Sequence, residues 1–343
     1  MRDRTPLRIA VIGGGANDEH EVSLASAAAT ARAVIGLGHE VVSLTVTRDG
    51  RWTHTGGGMM TPSEAVEVLT TCDAVFPVVH GVDGEDGTIA GFARMIGVPV
   101  VGSPVRAGAL GMDKWVTKTL AEALGIHTAP GVLVRPEDSP ALPLAVPVVV
   151  KPSTGGSSNG VSVVRDAADF AAALVTARDA GTDVLVERFV TGREIDIAVF
   201  RDATGALRTG ATLEIGVRPG DVFDRTQKYD GTAAFTIPAR TTPAEHTEVE
   251  RAATTLYAAL GCAGVARFDF FVTDDGVVLN EVNTAPGFTE QSQVPRMFAA
   301  VGLPYVELVG ELIAATVARA PELSHTPDPA SPTGRRTDRW RSS

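Results

Sequence analysis

The chain has 343 residues, 44% hydrophobic and 21% charged, with 41 acidic against 30 basic side chains and a formal net charge of −11. It is too long for one compact core of ordinary size, so two or three subdomains are expected. The acidic balance opposes nonspecific nucleic-acid binding, no run of about 18 apolar residues supports a membrane span, and the two cysteines, Cys72 and Cys262, exclude a disulfide framework or a cysteine zinc site and suit a reducing cytosol.

The charged residues 1–6 lead straight into a strand-like run at 7–12, so no secretory signal is expected. Gly13-Gly14-Gly15 follows, then an Ala-rich helical pattern over 18–35. Further strands are predicted at 40–47, 74–79 and 99–101. Strands alternating with helices predict a mainly parallel sheet, whose ligands gather at strand carboxyl ends, here the Gly13 and His80 loops. The glycine run departs from the dinucleotide fingerprint, because Asp18 stands where the last glycine belongs. Asp18 and Glu21 have the spacing of a helix capping box. The alternative puts the Glu21 carboxylate at the pocket mouth, where it suits an ammonium group. Residues 80–87 lack the glutamate that an EF-hand needs after its central glycine. They read either as a capped turn or as a functional loop around His80.

A second segment begins near Ser103. It holds a helix at 114–124, an apolar strand at 146–151 ending in Lys151, a small-residue loop at 152–160 and a strand at 161–164. This is a hairpin with a long tip, and not a Walker loop, since Gly-Lys-Ser/Thr is missing. A lysine at the end of a buried strand is costly unless it meets an anion, and Gly and Ser expose N–H groups that can wrap phosphate. The alternative is a surface hairpin. A helix at 167–177 and a strand at 183–189 follow, and Glu187 in that strand can accept ribose hydroxyls or lie on the surface. The third segment, about 195–320, is richer in strands. It contains a polar loop at 221–234 with Lys228-Tyr229, and beyond Leu323 the Pro, Ser, Thr and Arg content predicts a disordered tail.

The most informative pattern lies at 265–287. A strand over 265–272 carries Arg267 and Asp269 two apart, and a strand over 277–283 carries Glu281 and Asn283 two apart. A three-residue loop, Asp274-Asp275-Gly276, pairs Asp269 with Glu281 and Arg267 with Asn283, placing all four on one face. Facing carboxylates repel by up to about 1 kcal/mol even on an exposed sheet, so a cation is expected between them. Such oxygen ligands suit Mg²⁺ shared with substrate phosphates.

In order along residues 7–320, these pieces resemble the D-alanine–D-alanine ligases of the ATP-grasp superfamily. The resemblance rests on His80-Gly81-Val82-Asp83-Gly84-Glu85-Asp86-Gly87-Thr88, Arg267-Phe268-Asp269, and Glu281-Val282-Asn283-Thr284-Ala285-Pro286-Gly287, with Glu21-Val22-Ser23, Met112-Asp113-Lys114 and Lys151-Pro152 in support. It implies an α/β and α+β architecture: an N-terminal parallel-sheet, Rossmann-like substrate-binding domain (1–102), then a two-subdomain ATP-grasp fold (103–197 and 198–322), then the tail (323–343). It implies a cytoplasmic enzyme of peptidoglycan precursor synthesis that joins two D-alanine molecules through an acyl phosphate. ATP is its co-substrate, with two Mg²⁺ ions, Mn²⁺ being an acceptable substitute. Relatives are commonly homodimers.

The resemblance also implies roles. Lys114, Lys151 and Lys228 would serve the ATP phosphates, and Glu187 and Glu194 the adenosine side. Asp269, Glu281 and Asn283 would carry metal. Glu21 would hold the first D-alanine ammonium, near His80, and Ser157 would fasten its loop to Glu21 and Tyr229. Arg267 and the Gly287 N–H would face the oxyanion, and Ser292 and Gln293 the second substrate. Gln293 stands where the family usually has Leu, and a polar group there could admit a different second substrate. Phe268 replaces an aliphatic residue, and 223–227 lacks the usual tyrosines. Lys228-Tyr229 argues for a second substrate with an amine. The competing readings are a related ligase that joins D-alanine to another partner, and a non-catalytic nucleotide-binding protein.

Overall fold

The computed structural model describes residues 5–138, 141–216 and 234–323. Lys228, Tyr229, the 223–227 loop and the tail after 323 lie outside the described residues. Strands and helices form three sheets with their covering helices.

The first sheet contains β1 (Arg8–Gly14), β2 (Glu40–Val46), β3 (Trp52–His54), β4 (Met59–Met60) and β5 (Ala74–Pro77), in the order β4-β3-β2-β1-β5. Its helices are α1 (His20–Gly36), α2 (Pro62–Leu69) and α3 (Thr88–Met95). β1 is flanked by parallel partners, β2 and β5, and Ile9 to Ile12 are fully buried, as a central strand covered on both faces requires. The sheet is parallel through its centre, as expected, and β3 and β4 extend one edge antiparallel. These strands are too short to show a period-2 pattern. The strand expected at 99–101 is reduced to one bridge between Val75 and Val100.

The second sheet follows α4 (Val105–Met112) and α5 (Lys114–Ala123). It is antiparallel, in the order β6-β9-β7-β8, from β6 (Gly131–Val134), β7 (Val148–Pro152), β8 (Ser162–Val164) and β9 (Val184–Arg188). α6 (Phe170–Ala180) buries Phe170, Ala173 and Leu174 against its valines.

The third sheet is the largest. β10 (Arg193–Arg201), β11 (Leu207–Thr209), β12 (Leu213–Gly216), β13 (Ala234–Thr236), β14 (Val265–Thr273) and β15 (Gly276–Asn283) pair antiparallel. α7 (Pro243–Leu260) covers one face through Val249, Leu256 and Tyr257. α8 (Gln293–Ala300) and α9 (Tyr305–Leu323) cover the other, where Phe200, Phe298 and Leu312 share a core with Ile9 and Val34 of the first sheet and α1.

The β14–β15 register carries the site. Thr273 pairs with Gly276, so the loop is Asp274-Asp275 alone, one residue shorter than expected. A bulge between Asp269 and Phe270 compensates: Phe270 pairs with Leu279 but Asp269 with Glu281, leaving Asn280 as the extra residue. Without the bulge Asp269 would face Asn280, and Glu281 and Asn283 would turn to the other side. The expected pairing is therefore present, but the bulge produces it and the loop does not.

Candidate functional site

Three carboxylates lie in one row across adjacent strands: Asp196 of β10, Asp269 of β14 and Glu281 of β15. Repulsion along the row is offset by Arg267, whose Nε and Nη2 donate to the two oxygens of Asp269, each at 2.7 Å. Burial weakens the guanidinium charge, but Asp269 more than restores it, so Arg267 stays charged. Asn283 Nδ2 donates to Asp269 at 3.0 Å. Arg267 Nη1 donates to Gln293 at 2.7 Å. Burial and the Asp269 charge push the Asp196 carboxyl well up from the usual range. Arg267, Asp269, Glu281, Asn283 and Gln293 are thus gathered at one place. Asp196 was not anticipated, although an acid inside the apolar run of β10 was a visible signal.

Beside this row is a slot lined by Lys151, Glu187, Phe189, Glu194 and Leu279. Lys151 and Glu187 are both buried, and Lys151 Nζ meets Glu187 Oε1 at 2.5 Å. Lys118 Nζ meets the other oxygen at 3.3 Å. One carboxylate therefore answers two buried lysines. Burial would raise the Glu187 pKa, but Lys151 and Lys118 outweigh it and hold the carboxyl below its usual range. Lys118 was missed; it stands four residues after Lys114 on α5, so both can face one side. Asp113 caps α5, accepting from the Trp115 and Val116 N–H groups. Lys114 Nζ then reaches the Gly155 carbonyl at 2.7 Å and Glu281 at 3.8 Å.

The 152–160 loop closes over the site and docks on the start of α1. Ser157 and Ser158 both have positive φ, 54° and 57°, a region that costs L-residues about 1–2 kcal/mol each. The docking bonds hold this shape: Ser157 Oγ donates to Glu19, and Asn159 Nδ2 to Asp18 at 2.7 Å. The pocket-mouth carboxylate is Glu19, and the assignment to Glu21 is corrected. Glu21 is 74% exposed and pairs with Arg48 at 3.0 Å, pointing away from the cavity. Helix phase explains this, since residues two apart on a helix do not share a face. Nor is there a capping box: the N-cap is Glu19, with no side-chain cap bond.

Glu19, His80, Arg267, Gly287, Ser292 and Gln293 line a cavity of about 410 Å³ that also touches Lys114, Ser157 and Glu281. His80 is buried and its ring nitrogens are committed to protein. Nδ1 lies 2.7 Å from the Ala285 carbonyl, so it carries the proton, and Nε2 lies 3.0 Å from Ser26 Oγ. Burial pushes its pKa down. Glu85, which also lines this cavity, is pushed up to about 8 by burial and by the Glu19 charge.

Among the described residues no three His, Cys, Asp or Glu side chains converge to hold a metal ion unaided. Asp269, Glu281 and Asn283 offer hard oxygens on one face beside the slot, which fits Mg²⁺ only if phosphate oxygens and water complete its shell.

The chain is similar to known proteins along most of its length. The family models "D-ala D-ala ligase N-terminus" and "D-ala D-ala ligase C-terminus" match residues 57–103 and 120–314. A D-alanine–D-alanine ligase of Mycobacterium tuberculosis is 37% identical, with 93% of this chain and 97% of the relative covered. One from Nocardia farcinica is also 37% identical, covering 91% and 98%. Among solved structures, the VanG D-Ala:D-Ser ligase of Enterococcus faecalis superposes with a TM-score of 0.80 at 34% identity, covering 91% of this chain and all of that one. The Bacillus anthracis D-alanine–D-alanine ligase complexed with ATP gives 0.76 at 26%, covering 92% and 99%.

Proposed function

The chain belongs to the D-alanine–D-alanine ligase family, and from that membership we infer how its own residues carry out the ATP-dependent joining of two D-alanine molecules. The observation that carries the reading is the shared face of Arg267, Asp269, Glu281 and Asn283 between the lysine-lined slot and the Glu19 cavity.

ATP occupies the slot, with Lys114 and Lys151 toward its phosphates and Glu187 and Glu194 toward the adenosine. Lys228 is the further cation proposed for the γ-phosphate. Bound at Asp269, Glu281 and Asn283, Mg²⁺ would offset charge on the transferring phosphoryl group. The first D-alanine places its ammonium at Glu19. Its carboxylate oxygen attacks the γ-phosphorus and ADP leaves, which turns a poor leaving group into phosphate. The second D-alanine, with Ser292 and Tyr229 as its proposed contacts, attacks the acyl carbonyl through its neutral amine; the bond to the phosphate oxygen breaks, phosphate departs, and the protons of the former ammonium pass to phosphate and water. Arg267 and the Gly287 N–H face the oxyanion, a role worth about 3–4 kcal/mol per donor in comparable sites. The docked Ser157 loop keeps water from the acyl phosphate. His80 acts by holding the protein around the site, because neither ring nitrogen is left for a substrate.

The second reading, a ligase with another second substrate, draws on the likeness to a D-Ala:D-Ser ligase. Supplying D-alanine with D-serine, D-lactate or more D-alanine, and measuring phosphate and product, separates the two. D-alanyl-D-alanine is the expected main product, and preferential formation of another dipeptide or a depsipeptide would overturn the assignment. We also place the enzyme in the cytoplasm, where its co-substrate ATP is supplied.

A further inference from the structure

We propose that Gln293 is a positioning residue for Arg267, set in place by the buried carboxyl group of Asp196, and that it does not read the second substrate. This rests on the acyl-transfer reading above and assigns a task within it.

Gln293 is the first residue of α8, and its amide is engaged at both ends. Its Oε1 accepts from Arg267 Nη1 at 2.7 Å, and its Nε2 donates to Asp196 Oδ2 at 3.1 Å. A guanidinium only donates, so Arg267 takes the amide oxygen of Gln293 and leaves the NH₂ end facing Asp196. Asp196 Oδ2 accepts that NH₂ end, so the two neighbours together hold the amide in one orientation. Asp196 has reason to hold this bond. It is fully buried in an apolar strand, its Oδ1 has no hydrogen-bond partner, and its Oδ2 is 3.7 Å from Arg267 Nε. Among the described residues the Gln293 bond is the one hydrogen bond made by its side chain.

The consequence falls on Arg267. A guanidinium has five N–H donors in one plane. Asp269 takes one from Nε and one from Nη2, and Gln293 takes one from Nη1. Asp269 alone leaves the fork free to tilt about its single bidentate edge. The third bond, from another element, fixes the plane and leaves one N–H on each Nη for the developing oxyanion. An aliphatic side chain at position 293 could hold neither end. With its orientation fixed by these two bonds, the Gln293 amide cannot flip to suit a different substrate.

The test is steady-state kinetics on the full chain with ATP, magnesium and D-alanine, following phosphate and dipeptide together. Gln293→Met keeps the side-chain length and removes both bonds. Its kcat is expected to fall about ten-fold, or about 1.4 kcal/mol of barrier, while the KM values for both D-alanines stay within about two-fold. Asp196→Leu is expected to show the same split, and the double variant to lose less than the two single losses multiplied, because Asp196 and Gln293 act on the same guanidinium. If Asp196→Leu does not fold, Asp196→Asn takes its place in the cycle. Unchanged kcat in Gln293→Met overturns the proposal. So does a loss confined to KM for the second D-alanine, a gain of D-serine turnover, or an additive double variant. If the wild-type chain makes no dipeptide, the ligase reading itself fails; if it is active and Gln293→Met is indifferent, only this inference does.

Discussion

His80 Nδ1 lies 2.7 Å from the carbonyl oxygen of Ala285, 205 residues further along the chain. The opposite side of the ring meets Ser26 Oγ, which accepts from the Phe288 N–H at 3.2 Å. Tyr305 donates its hydroxyl to the Phe288 carbonyl at 2.9 Å. The segment that presents the Gly287 N–H is thus held on both sides of that residue by α1, the His80 loop and α9.

Ser26→Ala would leave a buried N–H and a buried imidazole nitrogen unpaired. Unfolding in urea is expected to show a loss of about 1–3 kcal/mol, with a lower kcat. Burial depresses the His80 pKa, so the folded state holds the ring neutral while the unfolded state protonates near its ordinary value of about 6.5. Stability is therefore lost as pH falls from about 6.5 toward the folded value. His80→Asn is expected to lose that part of the acid-side slope, as read from melting temperature against pH.

The two glutamates at the start of α1 are expected to separate cleanly. Glu19→Gln removes the charge that faces the cavity and anchors Ser157, and its activity is expected to fall at least about 100-fold, the scale set by misplacing a bound substrate. Glu21→Gln breaks only an exposed pair with Arg48, and both activity and stability are expected to stay within about 1 kcal/mol of wild type. Parallel rate measurements on the two variants decide the assignment.

Glu187 supplies a third expectation. Its carboxyl is held below the usual range, because Lys151 and Lys118 outweigh the opposing effect of burial. The stability it contributes is present above the unfolded value of about 4.3 and is lost as pH falls below that through the folded value. Glu187→Gln is expected to flatten this acid limb. Near neutral pH it leaves two buried lysines without a counter-ion, a change expected to cost about 3–5 kcal/mol in denaturant unfolding.

Much of this site was legible because strand periodicity is strict. Arg267 with Asp269, and Glu281 with Asn283, share a face by alternation alone, and the bulge at Asn280 preserves what a longer loop would have given. A bulge leaves no mark in a pattern of apolar and polar residues, so the reason for the register could not be read. Around Glu19 the local spacing misled: 18 and 21 fit a capping box, while helix phase and loop docking decide which acid faces inward. Lys118, Ser26 and Asp196 depend on partners 69, 54 and 97 residues away, and no local window contains such pairs.

In the proposed mechanism the shared strand face activates a carboxylate as an acyl phosphate. The direct test supplies ATP, magnesium and D-alanine labelled with ¹⁸O in its carboxyl group, followed by mass spectrometry of the released phosphate. Phosphate carrying one carboxyl-derived ¹⁸O for each dipeptide formed is the expected result; dipeptide accompanied by unlabelled phosphate would contradict it.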